Sequence, residues 1–227
     1  AKVQRDIVYK KVGDTEWKID LYLPADVQAN AKLPAILFAS GASETKHWNI
    51  YKNYGEVTAA QGLVAVQFNK RYAPGPDGVN TAYEDIKDLL EYLRQNADRY
   101  QIDKDRLCIW GFSAGGTLVG AGMLGDQPYI RCLVSYYGIG QVGPRRQVTA
   151  LGDKLPPILV VRAGQDNVNL NNAIDLFVQE AINRNIRIDF TNYPDGLHAF
   201  DILNDTERTR EIVRHTFDFI KAQMERK

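Results

Sequence analysis

The pentapeptide Gly111-Phe112-Ser113-Ala114-Gly115 is the stretch of this sequence best suited to chemistry. It follows the apolar run 107–110 and opens the small-residue run 116–124, a pattern that predicts a strand, a tight turn and a helix. In such a G-x-S-x-G turn the glycines let strand and helix approach closely, and the serine hydroxyl is exposed at a strained tip. The positive end of the helix then favours an oxyanion beside the serine. We therefore predict Ser113 as a nucleophile, the alternative being an ordinary strand-to-helix turn.

A nucleophilic serine needs a base, and the base needs an acid that orients it. In a largely parallel sheet both are expected just beyond the carboxyl ends of later strands. Asp166 follows the predicted strand 157–163, and His198 follows the predicted strand 186–193. We therefore predict that His198 takes the proton of Ser113, while Asp166 fixes the tautomer of the imidazole.

Other residues compete for these two roles. His47 precedes the elbow and His215 falls in the middle of a predicted helix, so neither fits as the base. Asp195 and Asp201 are alternatives to Asp166, although Asp195 is close in sequence to the predicted base. Asp166 has a further alternative role as the cap of the helix that follows it.

An acyl-transfer site also needs hydrogen-bond donors for the oxyanion. One predicted donor is the backbone N–H of Ala114, the residue after the nucleophile. The other is the N–H of Gly41 or Ala42, in the small-residue loop after the third strand. Four aromatic residues near predicted strand ends are candidates for the walls of a substrate pocket, with core packing as the alternative: Trp48, Phe112, Tyr137 and Phe200.

Strand-like and helix-like runs alternate along most of the chain. Strands are predicted at 7–11, 17–23, 34–39, 63–68, 107–110, 130–136, 157–163 and 186–193. Helices are predicted at 51–60, 82–97, 116–124, 171–183 and 205–224, with a loop at 71–80 and a cap at Thr81. This alternation predicts an α/β domain with a largely parallel sheet, while Gly13-Asp14 predicts an antiparallel hairpin at its start.

Composition narrows the possible partners. The chain has 227 residues, of which 44% are hydrophobic and 25% charged, as expected for a single soluble domain spanning 1–227. Because 28 basic residues balance 28 acidic ones, we expect no nucleic-acid partner. No apolar run approaches the roughly 18 residues of a membrane helix, so we expect no membrane insertion. We expect a monomer or small homo-oligomer, either cytoplasmic or exported with its leader removed.

The cysteines and histidines predict neither a thiol centre nor a metal centre. Cys108 and Cys132 both fall in apolar, strand-like runs, where a buried inert thiol is expected in preference to a disulfide or a catalytic thiol. The three histidines show no H-x-x-H spacing, and the cysteines show no C-x-x-C spacing. We therefore expect no metal ion in the site.

Further segments accompany the elbow: Arg71-Tyr72-Ala73-Pro74, Glu84-Asp85, 102–106, Gly164-Gln165-Asp166 and 196–200. With them, nearly the whole chain resembles an α/β-hydrolase of the esterase type, close to the acetylesterase, hormone-sensitive-lipase-like and dienelactone-hydrolase-like group. The resemblance implies the α/β-hydrolase fold, a mostly parallel sheet of about eight strands with helices on both faces. Esterases of this family commonly carry His-Gly-Gly-Gly after the third strand, whereas this chain has Ser40-Gly41-Ala42-Ser43. Backbone amides supply the oxyanion donors in either case.

The resemblance implies ester hydrolysis through an acyl-enzyme, with no cofactor. Only about twenty residues, 138–156, connect the predicted sixth and seventh strands, too few for a large helical lid. We therefore expect an open cleft and a short-chain or sugar-linked acyl ester as substrate. One alternative is a peptidase or amidase like prolyl oligopeptidase, which shares the order Ser, Asp, His. Another is a non-catalytic, ligand-binding member of the fold.

Overall fold

A computed structural model describes residues 1–46, 49–73, 76–120, 127–139 and 155–225. Its strands are β1 (Lys2–Val12), β2 (Thr15–Leu23), β3 (Leu33–Ala39), β4 (Val64–Phe68), β5 (Ile102–Phe112), β6 (Ile130–Tyr136), β7 (Ile158–Ala163) and β8 (Ile188–Tyr193). Its helices are α1 (Asn49–Ala60), α2 (Pro76–Gln95), α3 (Ala114–Gly120), α4 (Val168–Asn183), α5 (Phe200–Leu203) and α6 (Glu207–Met224). Within these residues, no helix combines the length and the apolar character needed to cross a bilayer.

The strands form one eight-stranded sheet in the order β1-β2-β4-β3-β5-β6-β7-β8. β1 pairs antiparallel with β2, and β2 pairs antiparallel with β4. All the remaining pairs are parallel. This topology confirms the predicted α/β class, including the antiparallel hairpin at the start of the chain. It also brings the carboxyl ends of β5, β6, β7 and β8 side by side at one edge of the sheet.

Helices cover both faces of the sheet, so its central strands are buried on both sides. Successive side chains of a strand point to opposite faces. In β3, Leu37 accordingly packs in the layer with α2 and α4, whereas Phe38 packs in the layer with α1 and α6. Each fully buried side chain of this size contributes about 1.5–3 kcal/mol of transfer free energy. The helical spacing predicted for α2 is confirmed by its fully buried residues Ile86, Leu89, Leu90 and Leu93.

The structure corrects the loop predicted at 71–80, because α2 already begins at Pro76. Proline suits the first turn of a helix, where its missing N–H would have no intrahelical partner. Thr81 therefore lies inside the helix and is not its cap, and its Oγ1 donates a hydrogen bond to the Asp77 carbonyl at 2.8 Å. The short helix α5, which follows the predicted base, has no counterpart in the sequence prediction.

The expectation of two buried free thiols is wrong, because Cys108 and Cys132 form a disulfide. The two cysteines lie directly opposite each other on the parallel strands β5 and β6, with their Cα atoms 4.9 Å apart. This separation falls within the range that a disulfide spans. Apolar patterning predicts that each cysteine is buried but does not give the register of the two strands.

Candidate active site

Ser113 occupies the tight turn between β5 and α3, with a left-handed backbone φ of 52°. Residues other than glycine seldom adopt this conformation, which costs on the order of 1–3 kcal/mol and is concentrated at functional sites. The flanking glycines are required by close packing. A Cβ atom on Gly115 would lie 2.1 Å from the Ala39 carbonyl oxygen, and one on Gly111 would lie 2.4 Å from the Gly115 carbonyl oxygen. The sequence thus folds locally as an elbow with Ser113 at its tip.

Residues at the end of β6 contact both Ser113 and His198. The Ser113 N–H donates a hydrogen bond to the Tyr136 carbonyl at 3.0 Å. A Cβ atom on Gly138 would lie 1.9 Å from the Ser113 carbonyl oxygen, so this position also requires glycine. Between them, the ring of Tyr137 lies 4.9 Å from the ring of His198, measured between centroids. Sequence reasoning missed Gly138, since a lone glycine after a strand looks like any turn residue.

Asp166 and His198 meet at the ends of β7 and β8. His198 Nδ1 lies 2.6 Å from Asp166 Oδ2. The Asp166 side chain is only 4% exposed, whereas that of His198 is 41% exposed. Asp166 also accepts a hydrogen bond from the Asn167 N–H at 2.6 Å, and the two loops are joined by the Gln165 N–H and the Gly196 carbonyl. An anchored, shielded carboxylate thus holds Nδ1, which leaves Nε2 as the ring nitrogen for proton transfer.

The structure does not place the competing residues His215 and Asp195 in this pair. His215 is on α6, where its Nε2 lies 3.3 Å from Asp189 Oδ2. Asp195 is exposed, and His47 lies outside the described residues. In the ranges that the structure describes, no three His, Cys, Asp or Glu side chains converge as a metal site would require. The expected absence of a metal centre stays a prediction.

Asp201 occupies a separate buried cluster beside the histidine. Its carboxylate accepts hydrogen bonds from the Tyr137 hydroxyl at 2.7 Å and from the Tyr54 hydroxyl at 2.9 Å. Burial raises the pKa of Asp201, although these two hydrogen bonds oppose the shift. Sequence reasoning weighed Asp201 as a replacement for Asp166 but missed its tyrosine partners, which come from distant parts of the chain.

The small-residue loop after β3 packs directly against the serine. A Cβ atom on Gly41 would lie 3.3 Å from Ser113 Cβ and 3.9 Å from Ser113 Oγ. The Gly41 N–H donates a hydrogen bond to the Tyr51 hydroxyl at 3.2 Å, whereas Ala42 is exposed. Ala114 is the first residue of α3, so its N–H has no acceptor within the helix. Of the two amides predicted as donors in this loop, that of Gly41 thus already has an acceptor, and the role of either amide at the oxyanion stays a prediction.

Two of the predicted pocket residues belong to the core. Phe112 is 2% exposed and Phe200 is 0% exposed, and both pack in the layer with α1 and α6. This burial supports core packing, the alternative role of these two residues, and their part in a substrate pocket stays a prediction. Tyr137 is 3% exposed but its ring faces His198, and Trp48 lies outside the described residues.

A family model described as BD-FAE matches residues 19–186, more than half of the chain. Among solved structures, Thermogutta terrifontis esterase 2 phosphorylated by paraoxon has a TM-score of 0.79 at 20% identity, covering 99% of this chain and 96% of that one. The propionate-bound form of this esterase gives the same TM-score and identity, covering 100% and 96%. MGS-M1, an α/β-hydrolase enzyme from a Medee basin deep-sea metagenome library, has a TM-score of 0.77 at 18% identity, covering 99% and 98%. These likenesses show the α/β-hydrolase fold.

One curated relative is far longer than this chain. The non-reducing polyketide synthase stbA of Stachybotrys bisbyi is 28% identical over 119 residues. The match includes 49% of this chain but only 5% of that protein. The likeness therefore concerns a small part of the synthase.

Proposed function

We propose that this chain, which belongs to the BD-FAE family and is a serine hydrolase of the carboxylesterase type, cleaves short-chain or sugar-linked acyl esters with Ser113, His198 and Asp166 as its catalytic triad. The observation that carries the proposal is the 2.6 Å contact between His198 Nδ1 and the buried carboxylate of Asp166, at the sheet edge where the elbow presents Ser113.

In the first step, Ser113 Oγ attacks the ester carbonyl carbon while His198 Nε2 accepts the hydroxyl proton. The carbonyl oxygen becomes an oxyanion, which accepts hydrogen bonds from the N–H groups of Ala114 and Ala42. Asp166 stabilises the imidazolium that forms and remains ionised. The intermediate then collapses: the bond to the alcohol oxygen breaks, the alcohol takes the proton from His198, and an ester to Ser113 remains.

In the second step, the same groups act on water. His198 Nε2 accepts a proton from a water molecule as the water oxygen attacks the acyl carbon. The second oxyanion forms at the same two amides and collapses with release of Ser113. The proton held by His198 returns to Ser113 Oγ, the carboxylic acid departs, and the triad is restored. Every proton is thus accounted for by side chains of this chain, so the mechanism needs no cofactor.

Support for short acyl groups comes from crowding at the serine and from a structural relative. Even a single added Cβ atom on Gly41 would lie 3.3 Å from Ser113 Cβ, so there is little room on that side of the nucleophile. The esterase of Thermogutta terrifontis, which shares the fold, is described with propionate bound. The segment that bears on the predicted absence of a lid, 140–154, lies outside the described residues, so that expectation stays a prediction.

The proposal is tested by p-nitrophenol release from acetyl, butyryl and octanoyl esters. We expect the intact chain to hydrolyse the acetyl and butyryl esters faster than the octanoyl ester. Ser113→Ala should lower kcat by at least about 10⁴-fold, since loss of the nucleophile of a triad has effects of this size or larger. Its circular dichroism should match that of the intact chain. Near-normal turnover by a folded Ser113→Ala variant would refute the nucleophile.

A further inference from the structure

A buried lysine lies beneath the loop that carries the predicted oxyanion donor. Lys70 follows β4 closely in the chain and is only 1% exposed. Its Nζ donates hydrogen bonds to the Ser43 carbonyl at 2.7 Å and to the Gly41 carbonyl at 3.1 Å. The Gly41 carbonyl also accepts the Ser43 N–H at 2.7 Å, which closes a three-residue turn around Ala42. The lysine therefore binds both ends of this turn.

The Gly41 carbonyl and the Ala42 N–H belong to the same peptide group. A trans peptide is planar, and its C=O and N–H bonds point in opposite directions. With the Gly41 carbonyl held by Lys70 Nζ, the Ala42 N–H must point away from the lysine. The positive charge also draws electrons toward the carbonyl oxygen, which makes the Ala42 N–H a stronger donor.

The charge of Lys70 has no adjacent counter-ion. In the described ranges, no carboxylate oxygen lies within 4 Å of Lys70 Nζ, and its neighbours are two carbonyls and the ring of Tyr72 at 5.7 Å. Asp85 and Glu44 attract the ammonium only at longer range, and Asp85 is itself bonded to Arg71 and Lys10. Burying an unpaired charge is costly. A lysine that only packed against the loop would not need this charge.

We propose that Lys70 is a positioning residue for ester hydrolysis: its ammonium fixes the Gly41–Ala42 peptide so that the Ala42 N–H faces the oxyanion, and its charge strengthens that hydrogen bond as the oxyanion forms. This proposal rests on the proposed esterase function. It assigns to Lys70 a contribution to the transition state without direct contact with the substrate. Loss of the charge should therefore lower kcat and leave KM nearly unchanged.

The pH profile separates this role from packing. Burial lowers the pKa of the Lys70 ammonium to about 8, while Asp85 and Glu44 oppose the shift. As the pH rises through this value, the intact enzyme should lose the contribution of the charge, and its kcat should fall to a lower plateau. Arginine keeps its charge over this range. Lys70→Arg should therefore stay on the upper plateau, and Lys70→Met should stay on the lower plateau at every pH.

The experiment measures kcat and KM for p-nitrophenyl acetate between pH 6.5 and 9.5, per active site counted by p-nitrophenol release from paraoxon. Removing a whole oxyanion donor costs about 10²–10³ in kcat. Since Lys70→Met removes only the group behind the donor, we expect a loss of about tenfold at pH 7 and no loss at pH 9.5 relative to the intact enzyme. The control is Lys46→Met, which removes another buried lysine, one that is bonded to Asp6 and Asp20 instead. It should leave kcat per titrated site unchanged.

Counting sites with paraoxon excludes unfolded protein from the comparison. If Lys70→Met folds poorly, the pH profile of kcat for Lys70→Arg, compared with that of the intact enzyme, still tests the proposal. The proposal is overturned if Lys70→Met keeps the kcat of the intact enzyme at pH 7, or if Lys70→Arg shows the same decline near pH 8. A chain that neither hydrolyses esters nor reacts with paraoxon would instead refute the proposed function itself.

Discussion

The pair Asp166→Asn and Asp201→Asn tests which carboxylate serves the histidine. Asp166 Oδ2 is 2.6 Å from His198 Nδ1, so an imidazolium and this carboxylate have charge centres about 4 Å apart. At an effective dielectric constant of about 20 their attraction is about 4 kcal/mol. An asparagine NH₂ group would also donate to Nδ1 and favour the unproductive tautomer. Together these effects should lower kcat/KM by about 10⁴-fold.

Asp201→Asn is the matched control, because it removes a second buried carboxylate near the same histidine. Asp201 accepts its hydrogen bonds from Tyr54 and Tyr137 and has none to His198. An asparagine carbonyl can still accept from a tyrosine, so the cost falls mainly on stability, at about 1–3 kcal/mol for a hydroxyl left unpaired. We expect kcat/KM to fall by about tenfold or less.

Both variants are assayed with p-nitrophenyl acetate from pH 6 to 9, beside thermal unfolding of each protein. Our assignment predicts a large loss of activity with little loss of stability for Asp166→Asn. For Asp201→Asn it predicts a small loss of activity and a larger loss of stability. If Asp201→Asn lost more activity per folded molecule than Asp166→Asn, the acid of the triad would have been misassigned.

Two further predictions concern stability. Gly115→Ala places a Cβ atom 2.1 Å from the Ala39 carbonyl oxygen and should lower the free energy of unfolding by about 3 kcal/mol. At Gly13 the added Cβ atom would have no other atom within 4 Å, so Gly13→Ala should lower the free energy of unfolding by only about 1 kcal/mol, because of its left-handed backbone. Urea unfolding of both variants measures these losses, and an equal loss of unfolding free energy in the two variants would refute the close packing of the elbow. The pKa of Lys70 is about 8 in the folded protein, below the 10.5 of an ordinary lysine, so the unfolded chain binds this proton more tightly. The free energy of unfolding should therefore rise by up to ~3 kcal/mol as the pH increases between these two values. This rise should be absent from Lys70→Met, and the same rise in both proteins would contradict the shifted pKa.

The sequence predicted the local features of the site because they depend on neighbours along the chain. The elbow around Ser113 requires small residues within five positions, and the apolar runs around it gave the strand and helix. The order of Asp166 and His198 after later strands followed from the rule that parallel strands end at one edge of the sheet. These inferences needed no knowledge of side-chain contacts.

What the sequence did not predict depends on residues that are distant in the chain. The disulfide depends on the register of β5 against β6, which apolar patterning does not encode. Lys70 lies in a charged, loop-like segment, and its burial follows only from the way the 40–43 loop folds over it. For Phe112 and Phe200 the sequence left both a pocket wall and core packing open, because a strand end offers both core and surface positions.

The most direct test of the account is to locate the covalent adduct that paraoxon forms with this chain. Intact mass and peptide mapping should find one phosphoryl group per chain, attached to Ser113, with labelling abolished in Ser113→Ala and strongly slowed in His198→Ala. A label on any other residue, or ester hydrolysis by a chain that paraoxon neither labels nor inhibits, would contradict the assignment of Ser113 as the nucleophile.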